Sequence, residues 1–193
     1  MRCVLRHILL FMAALASSSC ATSTEKSLAS VTFPLSGNGT LEDFVPAHNA
    51  VRSQHRLPPL KWSPQLASYA QQWANQLRKR NNCGMKHRPD RGRFAQQYGE
   101  NLLQVGPTRW SDGRRELYHM TPQMITDVWA DERRFYRYRS SSCKRGKVCG
   151  HYTQVVWRDT QEIGCAKAVC RDKSQVWVCN YNPPGNYRGK RPY

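Results

Sequence analysis

The stretch CGHYTQVVW, residues 149–157, decides how the chain is read. From His151 onward, polar and apolar side chains alternate up to Trp157. His151, Thr153, Val155 and Trp157 would share one face, and Tyr152, Gln154 and Val156 the other. Both faces carry large apolar groups, so the alternation predicts a central strand over 151–157, covered on each side by helices. His151 would then stand at the rim of the sheet, where a cleft can open.

Working outward, two further strands are predicted at about 163–169 and 175–181, with RDKS as the turn between them. Upstream, SSSCKRGKVC is a cationic loop pinned by Cys143 and Cys149. Thr121 and Pro122 open a helix on which Ile125, Val128, Trp129, Glu132 and Tyr136 share a face. Glu132 is the only acid among those positions, and an acid there needs a partner or a wet cavity. Residues 106–120 read as an exposed loop, and YGENLLQV as a short strand. Residues 81–97 are loop-like and basic.

The clearest helix is SPQLASYAQQWANQLRKRN. Ser63 caps it, Pro64 fits its first position, and Leu66, Tyr69, Ala70, Trp73, Ala74 and Leu77 recur at helical spacing. A first helix is expected from about Leu41 to Arg56, with Pro46 in its first turn and LPPL ending it. Helix, helix, strand, helix and a run of strands make an α+β domain, without internal repeats.

The N-terminus stands apart. Arg2, Arg6 and His7 precede the apolar run ILLFMAALA and the small residues SSSCA, which predicts a secretory signal over 1–20, cut near Cys20. Lipidation at Cys20 is disfavoured because no leucine precedes it by three residues. Residues 21–40, rich in Ser, Thr and Gly, are expected to be a loose extension ahead of a domain over 41–182. Without the leader, Cys83, Cys143, Cys149, Cys165, Cys170 and Cys179 remain, an even set that predicts three disulfides. Removing Arg2 and Arg6 leaves 28 basic residues against 13 acids, a balance of about +15. That charge favours anionic cell-wall or membrane surfaces. Specific nucleic-acid binding is not expected, and the protein is expected to be a monomer.

His87, Glu100, Glu132 and His151 are not brought together by spacing alone; no HExxH-type pattern links them. The chain resembles the CAP superfamily, the secreted proteins grouped with cysteine-rich secretory proteins and wasp antigen five, and within it the plant basic pathogenesis-related group-one proteins. The motifs that carry this are HNAVR (48–52), YGENL (98–102), VWADE (128–132), CGHYTQVVW (149–157) and CNYNPPGNYRGKRPY (179–193). The resemblance implies a disulfide-stapled α-β-α sandwich with a mainly antiparallel sheet. It also implies a central cleft holding His87, Glu100, Glu132 and His151, with His48 as a structural contact. Two stretches look enlarged against the family: RPDRGRFAQQY, which is also more cationic, and 106–120.

Two imidazoles and two carboxylates suit a divalent ion such as Zn²⁺ with a position left for water, or a water-bridged network without metal; no cofactor is required. A hydrolase would use Glu100 or Glu132 as base on an activated water. No GxSxG elbow exists and the thiols are expected to be paired, so binding ranks above catalysis. The resemblance implies a secreted, antimicrobial defence protein that binds sterols or other lipids of pathogens; basic members can be apoplastic or vacuolar, and with no extension after RPY the apoplast is expected. An alternative is a precursor whose tail, Pro183 to Tyr193, is freed by cleavage between Asn182 and Pro183; as a structural element the same tail would strap the sheet. Cys165–Cys179 resembles a family bridge. The other four cysteines keep three connectivities open, and a bridge from Cys83 into 143–149 would hold the His87 loop near His151.

Overall fold

The computed structural model describes residues 39–193. The predicted signal and most of the predicted extension lie outside the described residues. A 3₁₀ turn at Leu41–Asp43 leads into α1 (Phe44–Ser53), so the first helix stops three residues before Arg56. Then come β1 (Lys61–Trp62), α2 (Pro64–Asn81), β2 (Gly99–Val105), the hairpin β3 (Thr108–Arg109) and β4 (Arg115–Glu116), and α3 (Pro122–Asp131). After a second 3₁₀ turn at Glu132–Phe135 the order is β5 (Tyr136–Arg137), β6 (Ser142–Cys143), α4 (Gly150–Val155), β7 (Glu162–Val169) and β8 (Gln175–Asn182).

One sheet runs β1-β7-β8-β2. Only β1 and β7 are parallel; β7–β8 and β8–β2 are antiparallel. Side chains alternate across it, as a pleated sheet requires. Leu102, Ala166, Ala168, Val176 and Val178 face α2 and pack on Ala70, Trp73, Ala74 and Leu77. Leu103, Ile163, Cys165, Trp177, Cys179 and Tyr181 face the other way, onto α1, α3 and α4. The three layers are therefore α2, sheet, and the α1/α3/α4 group. At Gly164 the backbone of α2 comes so close that a Cβ would overlap the main chain of Leu66 and Ala67.

Three expectations are corrected. Residues 150–155 form a helix, not a strand, and add nothing to the sheet. Four of its six residues, Tyr152 through Val155, are buried, which removes any one-sided pattern. A six-residue helix is too short to hold itself together, so its conformation comes from tertiary contacts. Second, residues 106–120 contain a small hairpin turning at Asp112-Gly113, with Gly113 at φ 86°. Third, Val128 is 48% exposed, while Ile125 and Trp129 alone of the predicted face are buried deeply.

The disulfides join Cys83–Cys170, Cys143–Cys149 and Cys165–Cys179. Cys165 and Cys179 lie opposite each other on β7 and β8, as the resemblance implied. Cys83 does not reach 143–149; it pins the end of α2 to the end of β7. The Cys143–Cys149 bridge instead closes the cationic loop just ahead of α4.

Candidate functional site

The site is built around the start of α4. Glu132 sits in the 3₁₀ turn after α3, and its carboxylate reaches across to α4. Oε1 accepts from His151 Nδ1 at 2.7 Å, and Oε2 accepts from the backbone N–H groups of His151 (3.0 Å) and Tyr152 (3.3 Å). The first N–H groups of a helix lack internal partners and attract a negative charge. Glu132 thus supplies the cap that Cys149, at the N-cap position, does not. Trp129, one turn earlier, lies nearly parallel to the His151 ring at 6.2 Å.

The second pair is on the edge strand. His87 Nδ1 donates to Glu100 Oε1 at 2.9 Å, and the Arg88 backbone N–H donates to the same oxygen at 3.1 Å. Glu100 is buried, whereas the His87 side chain is 55% exposed. The basic 81–97 loop is held against α2: Trp73 Nε1 donates to Lys86 O, Tyr69 OH to Ala95 O, and Arg88 Nη2 to Tyr69 O. The Arg88 guanidinium stacks 3.6 Å over the Tyr69 ring, and its Nε lies 3.6 Å from Glu100 Oε2. The enlarged loop therefore keeps His87 on Glu100.

Adjacent residues of β2 link the two pairs. Glu100 faces the α2 layer, while Asn101 faces the other and donates from Nδ2 to the carbonyl of His151 (3.1 Å) and to Tyr181 Oη (3.1 Å). Tyr181 OH donates to His48 Nε2 (3.0 Å), and His48 Nδ1 donates to Phe44 O (2.8 Å). This chain of hydrogen bonds ties α1, β8, β2 and α4 together. Burial lowers the His48 pKa to about 3, so the ring is neutral, as that pattern of donors requires. His48 is a structural contact, as expected. Burial likewise raises the Tyr181 phenol well above its ordinary value.

Sequence reasoning missed Arg52. It is fully buried and donates to five carbonyls, those of Pro58, Val155, Trp157, Arg158 and Thr160. Desolvation lowers its pKa to about 10, leaving it charged at neutral pH. It fixes the chain leaving α4. The only signal was its place in HNAVR; among 30 basic residues a buried one is not conspicuous. Arg88 was missed for the same reason.

The four predicted side chains are thus placed as two hydrogen-bonded His–Glu pairs. Among the described residues, no group of three or more His, Cys, Asp or Glu side chains is arranged to hold a metal ion. Glu100 Oε1 and both Glu132 oxygens already accept from N–H donors, and each pair brings together only one imidazole and one carboxylate, so as placed the side chains do not make the four-ligand set that Zn²⁺ takes.

The tail runs over α4. Asn186 accepts from Thr153 Oγ1 (2.7 Å) and donates to Gly150 O (2.9 Å); Gly185 N–H donates to Gln154 Oε1 (3.0 Å). A Cβ on Gly185 would press into the Trp157 ring. At the far end, Pro192 O accepts from Arg158 N, and Tyr193 shares a hydrogen bond with Tyr152 and packs on His55. Between the tail, α4 and the Cys143–Cys149 loop lies a groove of about 410 Å³, with Tyr136, Trp157, Tyr187 and Pro192 in its walls.

A model of the cysteine-rich secretory protein family, CAP, matches residues 45–181. The chain belongs to the CAP family. It is 41% identical over 152 residues to pathogenesis-related protein 1A of Nicotiana tabacum, covering 79% of this chain and 80% of that one. It is 38% identical over 160 residues to pathogenesis-related protein 1 of Arabidopsis thaliana, covering 83% and 86%. Among solved structures, the venom allergen-like protein 4 of Schistosoma mansoni superposes with a TM-score of 0.57 at 26% identity, covering 78% of this chain and 91% of that one. The CAP fold accounts for the layer order, and the His–Glu pairs stand on motifs within the CAP match.

Proposed function

We propose that this CAP protein is secreted, acts in plant defence outside the cell, and binds a sterol or related lipid of a pathogen. Its likeness to pathogenesis-related proteins over most of the chain supports the defence role. The groove beneath the tail carries the lipid reading: it is concave, of a size that suits a small ligand, and walled by aromatic rings and proline. The cationic surface favours approach to anionic membranes.

The Glu132–His151 pair serves this function by holding α4, which forms one wall of the groove. A hydrolytic role has less support, because both oxygens of Glu132 are committed to N–H donors and the Glu100 side chain is buried, with Oε1 accepting from His87 and the Arg88 N–H. The tail's contacts at Asn186, Pro192 and Tyr193 favour a strap over a releasable peptide.

Fluorescent sterol titrated into the purified protein tests the proposal. Saturable binding is expected, weakened at least about fivefold by Tyr187→Ala, which removes an exposed groove ring. Absence of saturable binding, or binding indifferent to Tyr187, refutes it.

A further inference from the structure

A second surface lies on the opposite layer of the sandwich. Helix α2 contains no acid in 18 residues and ends in Arg78, Lys79 and Arg80. The segment 63–97 holds seven Lys and Arg against one acid, Asp90. Three neighbouring depressions, of about 740, 450 and 210 Å³, open along this face, and Arg80 lines all of them. Arg171 closes the first at the end of β7, Arg93 the second, and Lys86 the third. None of these cations lies within salt-bridge distance of a carboxylate among the described residues. Asp172, beside Arg171, is engaged by the hydroxyl and N–H of Ser174.

Clustered like charges repel and are stabilised when an external anion sits among them. The lining also contains Gln72, Asn75 and Gln76, whose amides donate and accept hydrogen bonds as sugar hydroxyls do. A membrane would need apolar side chains to insert. Here Phe94 is half-buried and Met85 is the one exposed large apolar side chain of 63–97, while Trp110, Leu117 and Tyr118, which are exposed, lie on or beside the β3–β4 hairpin.

We propose that this face, centred on Arg80, binds a linear anionic polysaccharide of the uronate type, with carboxylates among the guanidinium and ammonium groups and hydroxyls on the amides. The inference takes its extracellular setting from the proposed function, but the binding itself is independent of any lipid site.

The test compares retention of the whole protein on immobilised polygalacturonate, on the same polymer fully methyl-esterified, and on vesicles of phosphatidylcholine and phosphatidylglycerol. One variant carries K79Q, R80Q, R93Q and R171Q; a control of equal charge carries R56Q, K61Q, R109Q and R133Q, exposed residues that line neither these depressions nor the groove beneath the tail. Wild type should bind polygalacturonate in a salt-sensitive way and ignore the esterified form. The first variant should bind about tenfold more weakly and the control less than about twofold, with both still binding sterol. Equal loss in both variants would reduce the effect to diffuse charge and overturn the proposal. So would equal retention on the esterified polymer, or a first variant that loses vesicle binding while keeping polygalacturonate.

Discussion

Replacing Arg52 with Met should be among the most damaging single changes in the molecule. Met approximates the length of the side chain but removes every donor. The five acceptors lie at 2.9 Å (Pro58), 3.0 Å (Val155), 2.8 Å (Trp157), 3.4 Å (Arg158) and 3.2 Å (Thr160). Trp157 O keeps the Thr160 N–H as a donor, and the Arg158 contact is weak by its length. That leaves three carbonyls, of Pro58, Val155 and Thr160, that lose a good bond from a buried cation. A buried group deprived of its partner costs about 1–3 kcal/mol, and burying an uncharged thioether in place of a guanidinium recovers part of the sum. The expected loss is about 4 kcal/mol, or roughly 8–16 °C in Tm for a domain of this size. Urea unfolding of the oxidised protein, followed by tryptophan fluorescence, reads it directly. Arg52→Lys keeps the charge but not the fork, and should fall between wild type and Met. A loss below about 1 kcal/mol for Arg52→Met would show that the segment after α4 is held by something else, and the reasoning would fail.

Other perturbations have equally definite outcomes. His48 has its pKa depressed from 6.5 to about 3, so the unfolded chain binds the proton that the folded one refuses. Stability from this group is therefore lost as pH falls below about 6.5, by up to about 1.4 kcal/mol per unit; urea midpoints at pH 7 and 4.5 should differ less in His48→Gln than in wild type. Glu132→Gln keeps one acceptor but loses the charge at the start of α4, and should cost about 2 kcal/mol; thermal melts that coincide with wild type would contradict the capping role. Gly164→Ala should destabilise by several kcal/mol because α2 must move off β7, whereas a neutral result would mean the helix yields easily. By loop-closure entropy, replacing the Cys83–Cys170 pair with serine should cost about 4–5 kcal/mol and the Cys143–Cys149 pair only about 2, a ranking that denaturant titration checks.

The elements with strong periodicity or caps were legible in the sequence. Ser63 and Pro64 open α2, Thr121 and Pro122 open α3, and the RDKS turn separates the apolar runs that form β7 and β8. The stretch 150–155 misled because alternation over so few residues also fits a short helix buried on almost every side. It is held as a helix by groups distant in the chain, the carboxylate of Glu132 at its start and the Arg52 guanidinium at its end, and no local pattern carries that information. The His–Glu pairings were reachable only through motif resemblance. The networks behind them, through Arg52, Arg88, Asn101 and Tyr181, involve residue types that are usually unremarkable. The Cys83 pairing was open in the sequence and depended on where α2 ends relative to β7.

The claim that most needs testing is that lipid sits between the tail, α4 and the Cys143–Cys149 loop. Amide hydrogen exchange with and without sterol addresses it residue by residue. Sterol should slow exchange at 141–153 and 185–191 and leave the α2 face unchanged. Protection confined to other segments, or no change at saturating sterol, would contradict the account.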